Sequence, residues 1–315
     1  MKRTLLKPVA VLWLAGAALA DETQDRISPV VAGSSIRATV FAATVDDEWF
    51  RAWPPASVAY SFPSAVRQEG RRLGDSDSLD FHATYIRSVR AAANFDWLVG
   101  ADWQRIQTSV PSDVALPDTL QSAAAVLGFD WYFQNRWHAR LEVLPGVFSD
   151  FRDVNGDNFN APFNVEVSYA VNPNLLIGGQ LNVNARRETP VLGAVGVRWR
   201  FTDDWLLSLW FPNPRVEYFA TEKVTVLAGA TFTGNTFVVG NDFGTAHGRP
   251  ELNGQAVDFQ EIRVGGGVRY TIKRKLAVEL GGGWTLDRRY NFHERDVEFK
   301  SDGAPYVQLS CGLTF

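Results

Sequence analysis

Hydrophobic and polar side chains alternate along most of the chain from residue 79 to the C-terminus. In residues 159–171 every odd position is apolar, and most even positions are polar. Successive side chains of a β-strand point to opposite faces, so a period of two predicts strands with one apolar and one polar face. The pattern recurs in residues 79–90, 95–104, 175–186, 191–201, 261–272 and 276–287. The chain is therefore predicted to be all-β.

The same alternation continues to the last residue, which is an aromatic. Apolar side chains at 305, 307, 309, 311, 313 and 315 form one face of the final predicted strand. An exposed apolar edge strand recruits other chains, whereas a barrel closed within a bilayer has no edge. The run resembles the C-terminal insertion signal of bacterial outer-membrane β-barrels. That resemblance implies that Val307, Leu309, Leu313 and Phe315 are recognised by the barrel-assembly machinery.

The lengths of the connecting segments predict the number of strands. Outer-membrane barrels join strands by short turns on the periplasmic side and by longer loops outside. Short turns are predicted at 91–93, 134–136, 172–174, 202–204, 221–223 and 273–275, and longer connections at 67–77, 110–118, 149–158, 187–189, 240–254 and 288–302. This parity predicts a transmembrane antiparallel up-and-down β-barrel of about 14 strands, with 12 as the alternative.

The count of 14 depends on one predicted hairpin. Residues 205–211 and 215–220 must form two short strands that are joined outside by Pro212-Asn213-Pro214. Each is shorter than the roughly 9–11 residues that a strand needs to cross a bilayer.

The N-terminal residues predict export. Lys2, Arg3 and Lys7 precede an apolar run at 9–19, and Ala20 follows small residues. A basic start, a short apolar run and small residues are typical of a signal peptide that is cleaved after Ala20. We therefore divide the chain into a signal peptide at 1–20, a periplasmic lead-in or partial plug at 21–56, and an outer-membrane barrel at 57–315.

Charge and composition limit the classes of molecule that the protein is expected to bind. The formal net charge is −4, and loss of the three basic side chains of residues 1–20 leaves 28 basic against 35 acidic groups, or −7. This excess argues against nucleic acid as a partner and leaves outer-membrane lipid and small solutes. The 11 Trp, 8 Tyr and 21 Phe include many near predicted strand ends, as in the aromatic girdles of membrane barrels. The alternative is the aromatic core of a soluble secreted β-sandwich.

The polar faces of the predicted strands carry charges of both signs. One interpretation is a lumen crowded with cross-strand ion pairs. The other is a narrow channel in which Arg186, Arg198 and Arg200 meet an anionic solute. The candidate lumen-lining residues are Arg186, Arg198, Arg200, Glu166, Arg263, Arg269 and Glu279.

A lipid hydrolase built into the barrel wall is a second functional class. Such an enzyme would pair a serine with a histidine and an acid or an amide. His82 and His138 lie on predicted strands, but the chain has no Gly-x-Ser-x-Gly motif. We therefore predict a protein that is not an enzyme and that has no cofactor.

Two further segments resemble ligand-binding motifs, but their spacing and position favour a structural role. Acidic and amide side chains crowd residues 150–158 around Gly156, yet their spacing differs from that of an EF-hand, and turn chemistry accounts for them. Glycine triplets at 265–267 and 281–283 open no helix. They are predicted to ease barrel curvature or to allow close approach of the backbone.

A family resemblance covers roughly residues 57–315. Residues 205–230, with their Phe-Pro-Asn-Pro-Arg-Val-Glu-Tyr core, and residues 304–315 resemble an uncharacterised family of bacterial outer-membrane β-barrels, a domain of unknown function. The resemblance implies a barrel fold and an outer-membrane location, and it supplies no catalytic or binding residues. The sequence thus predicts a non-enzymatic barrel that is either a narrow channel or a structural and binding barrel.

Overall fold

The structure is a computed structural model that describes residues 56–112, 114–134, 136–273 and 276–313. The predicted signal peptide at 1–20 lies outside these residues, as do Phe315 and all of the predicted lead-in except Ala56, the first residue of β1. Leu313 ends the last described strand, but its side chain is not among the described ones. No described helix is long and apolar enough to span a membrane.

Seventeen strand segments form one sheet. They are β1 (Ala56–Gln68), β2 (Arg71–Ala92), β3 (Phe95–Ser109), β4 (Thr119–Phe133), β5 (Trp137–Val143), β6 (Gly146–Ser149), β7 (Phe159–Asn160), β8 (Phe163–Asn172), β9 (Leu175–Val183), β10 (Val191–Thr202), β11 (Trp205–Ser208), β12 (Arg215–Phe219), β13 (Val224–Val238), β14 (Ala256–Lys273), β15 (Leu276–Phe292), β16 (Val297–Ser301) and β17 (Ala304–Leu313).

The sheet closes on itself because β1 pairs antiparallel with both β2 and β17. Three strands are interrupted: β5 and β6 both pair with β4, β7 and β8 continue one path, and β16 and β17 both pair with β15. The result is a closed antiparallel barrel of 14 strands. This confirms the predicted fold class and strand count, and the soluble β-sandwich alternative is wrong because there is one closed sheet.

The outer surface of the barrel is apolar and the inner surface is polar. Val195 and Leu280 point outward and are 84% and 65% exposed. Outward aromatic rings contact one another near the end of the barrel that holds Ala56, here called the terminal end, in chains such as Trp199–Phe201–Trp205–Tyr218. An exposed apolar band with aromatic rings at its border is the surface that lipid requires.

The opposite end of the barrel, here called the loop end, corrects two predicted connections. Residues 67–77 form the β1–β2 hairpin, whose turn residues Glu69 and Gly70 have φ of 49° and 83°. Residues 288–302 are mostly strand, with only His293–Arg295 as a short 3-10 turn. The prediction at 288–302 was wrong because, beyond the lipid-facing band, apolar side chains such as Tyr290 and Phe292 turn inward and are buried. The strand at residues 71–77 was missed because most of its side chains are polar. The alternation that marks a lipid-facing strand is therefore lost.

The strands of the barrel wall reach different heights at the loop end. β11 and β12 have only 4 and 5 residues, as the predicted hairpin at Pro212-Asn213-Pro214 requires. β13 and β14 stay paired as far as Val238 and Ala256. At its end β13 crosses to β6, where Val238 and Ser149 form a parallel bridge. β6 and β13 are not neighbours in the barrel wall, so their contact narrows the opening at the loop end.

The exposed valine midway along β10 provides a test of the lipid-facing surface. Replacing Val195 with Arg should lower the free energy of unfolding by about 2–4 kcal/mol, because the charge would lie in hydrocarbon. The measurement is urea unfolding of the refolded protein in lipid vesicles, followed by far-UV circular dichroism. Asp203→Arg, in an exposed turn at the terminal end, is the control and should change stability little. Equal effects of the two substitutions would contradict lipid contact at β10.

Candidate functional site

The interior of the barrel is the candidate site, and ion pairs fill much of it. On β4 and β5, the buried Asp130 carboxylate accepts hydrogen bonds from Arg140 Nε at 2.7 Å and from Arg140 Nη2 at 2.5 Å. His138 Nε2 lies 2.7 Å from the same carboxylate, and Glu142 lies 3.7 Å from Arg140. All four residues lie on inward faces of adjacent strands, so the register of the sheet brings them together.

A second network joins β12, β14 and β15. Arg269 contacts Glu217 at 3.1 Å and Glu279 at 3.0 Å. Arg215 Nε donates to Glu217 at 2.5 Å. Each carboxylate thus has a guanidinium partner, which offsets the cost of removing both charges from water.

A third network lies nearer the loop end, on β2, β14 and β15. Arg288 contacts Glu261 at 2.6 Å. Arg263 forms an ion pair with Glu261 and lies 3.4 Å from Asp80. The three networks match the interpretation that cross-strand ion pairs crowd the lumen.

Six of the seven candidate lumen residues lie on inward faces of the barrel wall. Arg263, Arg269 and Glu279 belong to the networks above. Glu166 accepts a hydrogen bond from Trp210 Nε1 at 3.3 Å. Near the terminal end, Arg198 Nε donates to Ser208 at 3.4 Å, and the Arg200 guanidinium lies 5.2 Å from the ring centre of Phe219.

Arg186 does not join Arg198 and Arg200. β9 ends at Val183, and Arg186 lies in the loop that follows, where its guanidinium donates to the carbonyl oxygen of Asp157. Arg198 lies seven residues into β10, which at about 3.3 Å per residue is roughly 23 Å from that loop. The predicted cluster of Arg186, Arg198 and Arg200 is therefore wrong. Arg186 lies at the loop end of the barrel, whereas Arg198 and Arg200 lie near the terminal end.

The next residue, Arg187, is the buried arginine of this loop. It is only 7% exposed, and its Nη1 donates to Asn182 Oδ1 at 2.6 Å. Burial lowers the pKa of Arg187 to about 10, with Asp258 acting in the opposite direction, so the guanidinium stays charged at neutral pH. No sequence pattern distinguishes Arg187 from Arg186 as the buried arginine, since loops lack a periodic pattern.

The connection between β11 and β12 folds into the lumen. Gln180 Nε2 donates to the carbonyl oxygen of Phe211 at 3.2 Å. The Trp210 indole rests on two inward glycines, so that a Cβ at Gly178 would lie 2.6 Å, and one at Gly196 2.4 Å, from its ring atoms. Only glycine leaves room for this ring, and the two glycines were the only sequence signal of the insertion.

Polar contacts between two loops close the loop end. The buried Asp150, which follows β6, accepts a hydrogen bond from the backbone N–H of Gly240 at 2.9 Å. Asn241 Nδ2 donates to Asp153 at 2.8 Å. We call these two contacts, together with the Val238–Ser149 bridge, the latch.

Below the latch, buried apolar side chains from many strands pack into one cluster. It includes Ile106, Leu120, Phe148, Phe237, Phe243 and Phe292. The oxygen-rich segment at 150–158 takes part in turn and latch contacts: Asn155 caps a 3-10 turn at Gly156–Asn158. The loop end of the lumen is therefore closed by protein.

Two of the small cavities in the described part of the barrel border the residues above. One of about 60 Å³ lies beside the paired glycine triplets of β14 and β15, with Arg215, Glu279 and Tyr306 in its lining. A Cβ at Gly283 would lie 2.0 Å from the carbonyl oxygen of Val264, so these glycines allow the close backbone approach that was predicted. The other cavity, of about 10 Å³, lies beside Arg187.

The histidines of the predicted strands lie inside the barrel. His82 Nε2 is 2.8 Å from Asp102 and 3.1 Å from Thr84. His138 is fully buried and faces the equally buried Ser168 across the sheet. Among the described residues, neither histidine lies on the lipid-facing wall, where a lipid hydrolase would need its nucleophile.

The closed barrel, its apolar outer band and its charged lumen define the class of outer-membrane channel-like β-barrels. The chain belongs to the family described as a domain of unknown function, DUF6268, whose model matches residues 95–314. No curated protein matches the chain in sequence.

Solved structures that resemble the chain include a transporter and porins of low sequence identity. The toluene transporter TodX of Pseudomonas putida has a TM-score of 0.45 and 9% identity, over 88% of this chain and 93% of TodX. The NanC porin has a TM-score of 0.38 and 9% identity, over 82% and 100%. The KdgM porin in complex with disordered oligogalacturonate has a TM-score of 0.28 and 11% identity, over 81% and 98%.

The Asp130 network provides a test of the lumen charges. Arg140→Met should lower the free energy of unfolding by about 3 kcal/mol, because it leaves a buried carboxylate without its guanidinium. The matched control is Arg72→Met, whose pair with Asp75 is exposed and should cost less than about 1 kcal/mol. Urea unfolding in vesicles measures both. A loss at Arg140 no larger than the loss at Arg72 would contradict a dry, closely paired network.

Proposed function

We propose that this protein is a non-enzymatic outer-membrane channel for small solutes, and that the latch holds it closed in the conformation described here. The observation that carries the proposal is the way in which the loop end is closed. The closing contacts are the latch and loop packing, and they are not part of the continuous ladder of the barrel wall. Opening must break the few hydrogen bonds of the latch and separate Phe243 and Leu252 from the apolar cluster below it, while the hydrogen-bond ladder of the wall stays intact.

The apolar outer surface of the barrel supports an outer-membrane location. A band of exposed apolar side chains would aggregate in water but is stable in lipid. On β17, Val307 and Leu309 are each 48% exposed on the outward face, so they are accessible to the barrel-assembly machinery. Export by a signal peptide cleaved after Ala20 supplies the route to that membrane.

The charged lumen favours a channel over a purely structural barrel. A structural barrel needs only a well-packed interior, and apolar side chains would provide it at lower electrostatic cost. Here guanidinium and carboxylate groups line the interior from Arg200 near the terminal end to Arg288 near the loop end. Such a surface is one that water and small polar solutes can wet once the loop end opens.

The latch aspartate provides the test of gating. Asp150→Ala removes a charged acceptor, and a hydrogen bond to a charged group contributes about 1.5–3 kcal/mol, so the ratio of open to closed channels should rise at least tenfold. The measurement is single-channel recording of the refolded protein in a planar bilayer. Asp157→Ala, an exposed residue of the same loop, is the control and should behave as the wild type.

The contrary result is equally clear. If the wild type, the Asp150→Ala protein and a variant lacking residues 241–253 all insert but never conduct, the channel proposal fails and the barrel is structural.

The arginines near the terminal end provide a second electrical test. In the Asp150→Ala background, Arg198→Ala and Arg200→Ala should each shift ion selectivity toward cations, because each removes a positive charge from the inner wall. The measurement is the reversal potential in a potassium chloride gradient. Arg186→Ala is the matched control, since its side chain lies in an outer loop, and it should leave the reversal potential unchanged. Unchanged selectivity in both inner variants would show that ions do not pass them.

A further inference from the structure

Arg187 differs from most of the inward arginines of the barrel in its partners. Arg140, Arg263, Arg269 and Arg288 each lie within 4 Å of at least one carboxylate. In the part of the chain that the structure describes, the Arg187 guanidinium has one hydrogen-bond partner, the neutral amide of Asn182, and no carboxylate at ion-pair distance. Arg198, with Ser208 as its partner, resembles it but is less buried. A buried charge without a counter-charge is strongly unfavourable, so this position calls for an explanation.

The cavity of about 10 Å³ beside Arg187 has both polar and apolar walls. Asn164, Asn182 and Asn235, from β8, β9 and β13, line it together with Leu144, Phe148 and Pro162. Asn182 Nδ2 donates to Asn164 Oδ1 at 2.7 Å, so these amides are already oriented. Amide groups can donate to an anion or accept from a hydroxyl.

One acidic group also lines this cavity. Asp102 is buried, and its carboxylate is already engaged by His82 at 2.8 Å and by the Thr84 hydroxyl at 2.5 Å. Asp258 acts on Arg187 electrostatically, but its carboxylate accepts from the Thr236 hydroxyl and the Glu188 backbone N–H. Both carboxylates therefore have other donors, and the fork of Arg187 retains donors for a ligand.

We propose that Arg187, Asn164, Asn182 and Asn235 form the lumen binding site for a small carboxylate-bearing solute. The inference rests on the proposed function and names the solute class. The planar guanidinium presents parallel N–H groups that match the two oxygens of a carboxylate. The cavity as it stands has room for about one water molecule, so the solute enters as the latch opens and the cavity widens. The site lies directly below the latch, since Asn235 is three residues before Val238.

Acetate binding to the refolded full-length protein in detergent micelles tests the site. Isothermal titration with sodium acetate at constant ionic strength should show saturable binding to the wild type. Arg187→Gln should weaken binding at least tenfold, and Arg186→Gln, which removes the same charge one residue away, should leave it within twofold. Arg187→Lys keeps the charge but loses the fork, so it should also weaken acetate binding at least tenfold.

A second variant covers the case in which Arg187→Gln does not fold. Asn182→Asp places a carboxylate on the atom that already contacts Arg187, so it should fold and no longer bind acetate. Absence of saturable acetate binding to the wild type, or equal binding by the wild type and either Arg187→Gln or Asn182→Asp, would overturn the inference. Binding is measured without a membrane, so a conducting protein that does not bind acetate would reject this site alone. A silent protein that binds would reject only the channel.

Discussion

Pairing of the first strand with the last is the constraint on which the rest of the structure depends. In hydrocarbon, every backbone N–H and C=O must find a partner within the protein, and a closed sheet is the only β-structure that provides this. The β1–β17 ladder from Ala56 to Ser61 removes both edges. Closure then fixes which side chains face outward, because the two faces of each strand alternate. The apolar band, the inward charges and the position of the latch all follow from that single choice of register.

Closure places charged side chains inside the barrel, and the cost of removing these charges from water must be offset by other interactions. A charged residue facing the lumen has little water around it in the closed conformation, so its stability depends on a partner across the sheet. Asp130, Glu217 and Glu261 each meet at least one guanidinium from the same or a neighbouring strand. Register within and between neighbouring strands supplies many of these counter-charges. Side chains that reach beyond the neighbouring strand supply others, as Arg263 of β14 does for Asp80 of β2.

The period of two was sufficient to predict the fold because lipid and lumen impose opposite polarities on alternate residues. That pattern located the short turns within one or two residues, and it found the short β11–β12 hairpin. At the loop end it placed the ends of β2, β3, β14 and β15 several residues short, because apolar side chains such as Phe292 turn inward there. At residues 71–77 most side chains are polar, so no apolar face marks the strand. The pattern also failed for the lumen site, where the buried arginine is Arg187 rather than Arg186. Loop conformation decides between these neighbours, and the sequence shows no period there. The inward fold of Trp210 depends similarly on Gly196 in another strand, a contact that no local pattern reveals.

The latch and the unpaired arginine are connected through β13. Its end supplies Val238 to the bridge that closes the loop end, and Asn235 to the lining of the cavity beside Arg187. Movement of this segment away from β6 would therefore open the loop end and enlarge the cavity in one step. A carboxylate on Arg187 would interact differently with the two conformations, because the closed cavity has room for only about one water molecule. Ligand and gate are then thermodynamically linked, since a ligand shifts an equilibrium by its difference in affinity for the two states. A carboxylate is larger than the space beneath the latch, so its binding would favour the open barrel.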